Sequence, residues 1–387
     1  MRLSSLRTVL TEAAPTSTVW IDADRGDENA DHEVRLRWQT LADRLRELGA
    51  PEGDVSALEA AATAPTGLPD PSSRVLAARD GRVVLDEVLG ETPPDGIGEV
   101  AFEAVPDVTP LLTLRPEGAS FVVARIDRVG ADVDVFSGPS TPVDEASVEG
   151  RTLHIHTFHG GGWAHLRFQH HTEEAWRRNA EQVAGLVDAK AKEHGVTLLV
   201  LGGDQRARRF VVEALPHGYE IVEVEGNVRA EGASDDQLDA AVATAVAARA
   251  TRQAQAAVER LRAAREPMED GTETGTAAVD LERTVAAFQQ GQVSVLLLEP
   301  DRLRARRLVV GPGPHDLALP GAPRTWQGDG VEVPADLALV RAAVLTDADV
   351  QVLPDGDPDV PDGAAALLRW GYGGPAPAAL RDGVPLP

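Results

Sequence analysis

The chain contains no cysteine and few aromatic residues. Its 387 residues include no Cys and only 4% Phe, Trp and Tyr. The absence of thiols excludes disulfide bonds, cysteine nucleophiles and thiolate-bound zinc, and it fits a reducing cytoplasm. Because aromatic rings are scarce, Ala, Val and Leu must supply most of the packing, within an ordinary hydrophobic content of 43%.

Long apolar runs are also missing. The runs of large apolar residues at 198–201 and 295–298 are far shorter than the ~20 residues that a membrane-spanning helix needs. The first twenty residues lack the continuous apolar stretch of a secretion signal. We therefore expect a soluble, cytoplasmic protein that has no membrane partner.

Positive charge is scarce in the chain as a whole. The formal net charge is −25 and the sequence pI is about 4.7, which disfavours non-specific binding to nucleic acid or to anionic membranes. Residues 151–210 differ, because they hold nine Lys or Arg against six Asp or Glu, a net of +3 that leaves −28 for the rest. A polyanionic partner would therefore meet this segment.

The length of the chain predicts several domains. Residues 1–110 are expected to form an α+β N-terminal domain. Strands are predicted at 18–22, 74–78, 82–89 and 98–105. A helix is predicted from an apolar stripe with three- and four-residue spacing, consisting of Val34, Trp38, Leu41, Leu45 and Leu48.

Residues 111–268 are expected to form a middle α/β domain. It opens with a hairpin at 120–136 that turns at Gly130, and a polar link at 137–150 follows. The remaining predicted elements alternate between strand and helix: strand 152–157, helix 164–194, a buried strand ending at Gly202 and Gly203, a helix beginning near Arg206, strand 219–225 and helix 234–265. This alternation predicts a sheet with some parallel strands.

Residues 269–279 are rich in Gly, Thr and Glu and predict a linker to a C-terminal domain at 280–387. Helices are predicted there at 281–290 and 336–346, and strands at 293–299 and 349–353. The Pro- and Gly-rich stretch 311–326 is expected to be a variable loop. The overall expectation is a multidomain α/β protein.

Three consecutive glycines, Gly160, Gly161 and Gly162, mark the segment 154–176 as the candidate functional region. Six of the ten histidines lie in it, at 154, 156, 159, 165, 170 and 171. The residues alone leave three interpretations open: a turn that holds a phosphate, a finger that reaches into a partner, or an ordinary loop. The lysine pattern of a P-loop and the spaced glycines of a dinucleotide site are both absent.

The chain lacks the usual patterns of a metal centre or a hydrolase. The histidines include no HExxH pair, and no carboxylate lies at a supporting spacing. There is no GxSxG motif. We therefore predict no metal, no cofactor and no catalytic residue. Asp204 is interpreted as a helix cap, and Arg206, Arg208 and Arg209 as a solvated helix face.

One stretch of this region resembles a known superfamily. The sequence GGWAHLRFQHHTEEAWRRNAEQVAGLV is similar to the central segment of the archaeal and eukaryotic class-1 release factors and Pelota, where a Gly-Gly-Gln loop leads into a helix that begins Ser-x-x-Arg-Phe. Gly161 and Gly162 match the two glycines, and Arg167 and Phe168 match the Arg-Phe pair. The strand and turn around LLVLGGDQRARRF and the hairpin FVVARIDRVGADVDVF agree with this context. The bacterial branch, with the actinobacterial relatives of the hibernation factor Balon, is the most similar.

The resemblance implies an RNase H-like middle domain and an L7Ae-like C-terminal domain in a tRNA-shaped protein. Such a protein occupies the A site of the 70S ribosome, with its glycine loop near the rRNA of the peptidyl-transferase centre. Trp163 stands where release factors have the glutamine that positions water, and an indole has one N–H donor and no acceptor. The residues implied in rRNA binding are His159, Gly160, Gly161, Gly162, Trp163, His165, Arg167, His170, His171, Arg177 and Arg178.

Three functions follow from this interpretation. The first is a non-catalytic ribosome-binding factor that acts in hibernation or rescue. The second is a peptidyl-tRNA hydrolase that uses another residue, such as His159 or His165, as its base. The third is an RNA-binding or nuclease module that has left the ribosome. Loss of the glutamine favours the first, and delivery by an elongation factor stays open.

Overall fold

The computed structural model describes most of the chain. The described residues are 6–25, 29–66, 71–114, 120–137, 142–149, 163–225, 236–265 and 275–371, with backbone alone at 137, 163–173, 175, 225, 236, 237 and 239. They form two compact units, residues 1–117 with 250–387, and residues 118–249. The predicted multidomain α/β class is confirmed. The predicted domain boundaries stay a prediction.

The N-terminal part of the first unit is an antiparallel sheet covered by helices. Its elements are α1 (Arg7–Leu10), β1 (Thr16–Asp22), α2 (Ala30–Glu47), α3 (Glu52–Ala62), β2 (Ser73–Arg79), β3 (Arg82–Leu89), β4 (Gly98–Glu103) and α4 (Thr109–Leu114). The strands are ordered β3-β2-β1-β4. Trp38, Leu41 and Leu45 of the predicted stripe are buried in one core with residues of β1, β2 and α3, and Val34 is also buried. Leu48 is the exception at 53% exposure, because α2 ends at Glu47 and Leu48 lies past its last turn.

The second unit is built around a five-stranded sheet. Its elements are β5 (Ser120–Ile126), β6 (Gly130–Ser137), β7 (Pro142–Glu149), α5 (Trp163–His194), β8 (Leu198–Gly203), α6 (Gln205–Ala214), β9 (Glu220–Glu225) and the first part of α7 (Asp236–Ala264). The strand order is β7-β6-β5-β8-β9. The first three strands are antiparallel, whereas β8 and β9 run parallel to β5. The predicted hairpin is confirmed, and so is the strand-helix alternation from residue 163 onward.

Strand β8 is buried on both faces, as its continuous apolar sequence indicates. Leu199 and Leu201 belong to the core that the sheet forms with α5 and α6. Leu198 and Val200 belong to the opposite core, which includes Leu238 of α7. Helices therefore cover both faces of this sheet.

The predicted polar link at 137–150 is wrong in part, since it contains the edge strand β7. Residues of β7 alternate between exposed and half-buried, and Val148 contacts the core. Its Pro, Ser and acidic residues hide this alternation from a reading of composition, because an edge strand has only one neighbour and tolerates such residues. The predicted strand at 152–157 lies outside the described residues.

The C-terminal part of the first unit contains two small sheets. Its elements are β10 (Ala277–Ala278), α8 (Leu281–Gln289), β11 (Val293–Leu298), α9 (Pro300–Leu303), β12 (Arg307–Val310), β13 (Leu317–Ala318), β14 (Val331–Pro334), α10 (Ala335–Leu345), β15 (Asp349–Val352) and β16 (Ala364–Leu368). The sheets have the orders β10-β16-β11-β15 and β13-β12-β14. The two predicted helices and two predicted strands are confirmed.

The stretch 311–326 is not only a loop. Leu317 and Ala318 form β13, which pairs with β12, and both residues are buried. The prediction was wrong here because a two-residue strand has no periodicity to detect, and Pro and Gly surround it.

The N-terminal and C-terminal parts of the first unit share one core. Val75 and Leu89 belong to the same cluster of buried residues as Leu296 and Val340. Ion pairs at its margin join Arg304 Nη1 to Asp107 Oδ2 at 2.6 Å, Arg307 Nη1 to Glu103 Oε1 at 2.9 Å and Arg7 Nη1 to Asp347 Oδ1 at 2.7 Å. Of the helices within the described ranges, none has the length and apolarity to cross a bilayer.

Candidate functional site

The glycine loop, defined as residues 159–162, precedes helix α5. His159, Gly160, Gly161 and Gly162 lie outside the described residues. Helix α5 begins at Trp163 and continues for 32 residues. The residue that follows the glycines is therefore the first residue of a long helix.

The first turns of α5 contain five more of the predicted site residues, and only their backbone is described. They are Trp163, His165, Arg167, His170 and His171. Positions 163, 167, 170 and 171 recur at the spacing of one helix side, whereas position 165 falls on another. The assignment of these residues to RNA binding stays a prediction.

Arg177 and Arg178 lie further along α5, where side chains are described, and both are exposed. The guanidinium carbon of Arg177 is 5.3 Å from the ring centroid of Phe210 on α6. The Nε atom of Arg178 donates to the carbonyl oxygen of Glu174 at 3.2 Å. A cation–π contact holds a guanidinium without using its N–H groups, so Arg177 keeps donors for an anion.

The adjacent parallel strands β5 and β8 end side by side. Ile126 is paired with Gly203, and the backbone N–H of Asp204 donates to Ile126 O at 3.0 Å. Gly203 has φ +114°, and a Cβ there would lie 1.8 Å from Ile126 O. Only glycine permits this conformation and approach, and the result places Asp204 beside the turn that follows β5.

Asp204 caps helix α6, which confirms its predicted role. Its Oδ1 accepts hydrogen bonds from the backbone N–H groups of Arg206 at 3.0 Å and Ala207 at 3.1 Å. Its Oδ2 accepts from Nε of Arg128 at 3.0 Å. Burial acts to raise the pKa of Asp204, but the hydrogen bond from Ala207 and the charge of Arg128 outweigh it and hold that pKa below the ordinary value.

Arg128 connects this cap to helix α5. Its guanidinium carbon is 4.8 Å from the ring centroid of Trp176, and its carbonyl oxygen accepts a hydrogen bond from Nδ2 of the buried Asn179 at 3.1 Å. Arg128 and Phe210 were not among the predicted site residues, and Trp176 was included only as the last residue of the candidate segment 154–176. The detectable signal was the position of Arg128 just after β5, since adjacent parallel strands end at the same edge of a sheet.

The prediction of a solvated arginine face on α6 is wrong for Arg208. This residue is only 3% exposed, and its Nε lies 3.5 Å from Oε2 of Glu223 on β9. Arg208 shares the buried side of α6 with Ala207 and Val211. Arg206 and Arg209 are exposed, as predicted.

A group of potential metal ligands lies at the far end of α5, where Asp144, Glu193 and His194 converge. The ammonium of Lys190 lies among them, 2.6 Å from Oδ2 of Asp144 and 3.2 Å from Oε2 of Glu193. Nε2 of His194 is 2.9 Å from the same Asp144 oxygen. Because Lys190 already supplies the positive charge, this group is an ion-pair cluster that ties β7 to α5.

Comparison with known proteins identifies the second unit most clearly. Residues 120–267 match the model of bacterial archaeo-eukaryotic release factor family 2. The chain is also 26% identical over 380 residues to an uncharacterized protein of Mycobacterium tuberculosis strain H37Rv. The alignment covers 96% of this chain and 97% of that protein.

Two archaeal structures are similar to the chain at lower identity. An archaeal translation termination factor of known crystal structure is 16% identical in sequence. The alignment covers 95% of this chain and 97% of that factor, with a TM-score of 0.22. Archaeoglobus fulgidus Pelota is 14% identical, with coverages of 96% and 92% and a TM-score of 0.32. Whole-chain superpositions at these TM-scores are poor, so the similarity to this family rests on the matched segment. Residues 120–267 are similar to the bacterial branch of the archaeal and eukaryotic release factors.

Proposed function

We propose that this protein is a translation factor that occupies the A site of the 70S ribosome in hibernation or rescue and does not release the nascent peptide. One observation carries this proposal. Within the segment that matches the release factor family, the glycine pair Gly161-Gly162 is followed by Trp163, the first residue of a long helix. The position of the water-positioning glutamine is thus kept while its chemistry is lost.

The chemistry of the indole supports the non-releasing role. A glutamine carboxamide offers two donors and an acceptor, whereas the indole of Trp163 offers one donor only. It cannot both accept a hydrogen bond from water and orient that water against an ester. A large planar ring is instead suited to stacking on an unpaired rRNA base.

The remaining predicted residues complete this proposal. His159 and His165 flank Trp163 and supply polar contacts to RNA, while Arg167, Arg177 and Arg178 supply charge near phosphates. His170 and His171 lie on the same helix side as Arg167. The RNase H-like and L7Ae-like identities of the middle and C-terminal parts, and the tRNA-like shape, belong to the same proposal.

Co-sedimentation with vacant 70S ribosomes at moderate salt tests this function. We expect the wild-type protein to pellet with ribosomes and the double variant Trp163→Ala, Arg167→Ala to stay in the supernatant. Arg260→Ala is the control, since Arg260 is an exposed arginine on α7. Absence of wild-type binding at any salt concentration would refute the proposal.

A second assay separates occupancy from peptide release. Wild-type protein is added to ribosomes that carry peptidyl-tRNA in the P site, and hydrolysis of the ester is followed. We expect no release above the ribosome background. Release that disappears in His159→Ala or His165→Ala would instead favour a peptidyl-tRNA hydrolase and overturn the non-releasing role.

A further inference from the structure

A group of exposed arginines lies in the second unit, in the turn after β5, on the part of α5 beyond the first turns and on α6. This arginine face consists of Arg128, Arg177, Arg206 and Arg209. Arg177, Arg206 and Arg209 are exposed, and the side chain of Arg128 is 54% exposed. Such a grouping is unexpected in a chain whose net charge is −25.

Shared contacts and helical spacing connect the four residues. Arg128 lies over Trp176 on α5 at 4.8 Å, and the next residue on α5, Arg177, lies over Phe210 on α6 at 5.3 Å. Arg206 and Arg209 precede Phe210 by four and one positions, and helical spacing puts residues 206, 209 and 210 on one side of α6. Asp204 connects Arg128 to α6, because it accepts a hydrogen bond from Arg128 and caps that helix.

Carboxylates neutralise this face only in part. Arg128 uses Nε for Asp204 at 3.0 Å, and Arg209 uses Nε for Glu213 at 3.0 Å. For Arg177 and Arg206, the described part of the chain supplies no ion-pair partner. Two of the four arginines therefore have no carboxylate paired with them in the described part of the chain.

The arginines are also held in place. Stacking over Trp176 and Phe210 restricts the guanidinium groups of Arg128 and Arg177, which reduces the conformational entropy lost on binding. Their terminal N–H groups stay available, and a guanidinium presents these donors in a geometry that matches phosphate oxygens. Only Arg177 belongs to the set implied by the family motif, so the face adds a contact outside the glycine loop.

We infer that the arginine face binds the phosphate backbone of structured RNA, as a second contact separate from the glycine loop. The inference rests on the proposed function in so far as the RNA is ribosomal. Phosphate contacts carry no base information, so binding is expected to be independent of sequence and sensitive to salt. The glycine loop then determines where on the ribosome the protein binds, and the arginine face strengthens that binding.

The test measures binding to a fluorescent RNA duplex and to vacant 70S ribosomes over a range of salt concentrations. The variant is Arg177→Glu, Arg206→Glu, Arg209→Glu. Its control is Arg82→Glu, Arg260→Glu, Arg324→Glu, which changes the net charge equally at three exposed arginines of the first unit. Circular dichroism and thermal unfolding of each variant confirm that it is folded.

We expect the arginine-face variant to bind both RNAs at least ~10-fold more weakly than the control. Its plot of log affinity against log salt should be shallower by about 2, since each lost phosphate contact removes ~0.7–0.9 from the slope. Duplex binding that is equal in the variant and the control would overturn the inference.

The glycine-loop variant Trp163→Ala, Arg167→Ala separates this inference from the proposed function. If it loses ribosomes but keeps the duplex, the two contacts are distinct as inferred. If wild-type protein binds ribosomes and the arginine-face variant binds them as tightly as its control does, the role inferred for the arginine face is wrong. The proposed function then stands. If wild-type protein binds the duplex through these arginines but never binds ribosomes, the proposed function fails while the phosphate-binding surface remains.

Discussion

The two units use arginine in opposite ways. In the first unit, Arg341 of α10 is 2% exposed, and its guanidinium donates to Leu10 O and Thr11 O, both at 2.9 Å. In the second unit, Arg177 is exposed and rests on the ring of Phe210. One arginine has its donors used inside the protein, whereas the other keeps its donors facing outward.

This difference follows from the partners that each fold brings to the side chain. The guanidinium of Arg341 lies next to the C-terminal end of the short helix α1, whose last carbonyls have no helical partner. It also lies beside the carbonyl of Pro312 at 3.3 Å. Burial lowers the pKa of this guanidinium, with the charge of Asp316 opposing. The lesson is that an arginine in an acidic protein indicates anion binding only when its N–H groups are not already used by carbonyls or carboxylates.

Removal of the buried arginine should give the largest effect. Arg341→Met leaves the buried carbonyl of Leu10 and the partly buried carbonyl contacts of Thr11 and Pro312 without this donor, and an unpaired buried group costs ~1–3 kcal/mol. We expect the free energy of unfolding, measured with urea, to fall by about 4 kcal/mol. RNA binding by the folded protein should be unchanged. Arg341→Lys keeps the charge but lacks the fork, so an intermediate loss is expected.

Equal stability of Arg341→Met and wild type would contradict the structural role given to this side chain. The exposed variant Arg177→Met is the matched comparison. It should lose RNA affinity and keep stability, so the two variants together test whether the two uses of arginine are distinct.

A buried acid in the first unit predicts a pH-dependent stability. Asp336 is fully buried, with Oδ2 3.3 Å from Nη2 of Arg304. Burial, only partly offset by Arg304, raises the pKa of Asp336 from 3.8 to about 6. The folded state therefore binds a proton more tightly than the unfolded state, and the contribution of this group falls as pH rises from about 4 to 6.

We expect Asp336→Asn to remove this contribution. Relative to the variant, the wild-type protein should lose about 3 kcal/mol of unfolding free energy between about pH 4 and 7, because each pKa unit corresponds to ~1.4 kcal/mol. Urea unfolding of both proteins at several pH values measures this difference in unfolding free energy. Asp362→Asn, at a half-buried acid paired with Arg306, serves as the control. Parallel pH profiles of wild type and Asp336→Asn would contradict the assignment.

Elements whose hydrophobic pattern extends over many residues were predicted from the sequence, and elements too short to show a pattern were missed. The stripe from Val34 to Leu45 and the apolar run of β8 each extend over several turns or residues, so a pattern was visible. Strand β13 has two residues, and β16 is a short Ala-rich run. Their strand conformation is set by neighbours in the sheet, which a local pattern does not contain.

The candidate site divides in the same way. Motif similarity led to the glycine loop and to Arg177, and local capping rules led to Asp204. The contacts of Arg128 with Trp176 and of Arg177 with Phe210 join residues that are 48 and 33 positions apart. Only the pairing of β5 with β8 and the packing of α5 on α6 bring them together. The burial of Arg208 likewise depends on β9, which lies beyond its own helix.

The smallest expected effect concerns the aromatic ring under Arg177. Phe210 is partly buried and packs against the core of the second unit, so Phe210→Ala would change packing and charge placement together. Phe210→Leu keeps an apolar side chain but removes the π face, while Phe210→Tyr keeps that face. A cation–π contact at an exposed site is worth ~0.5–1 kcal/mol, so Phe210→Leu should weaken RNA binding about 2- to 5-fold. Phe210→Tyr should bind like wild type, and equal affinity of all three proteins would mean that the ring does not hold Arg177 for binding.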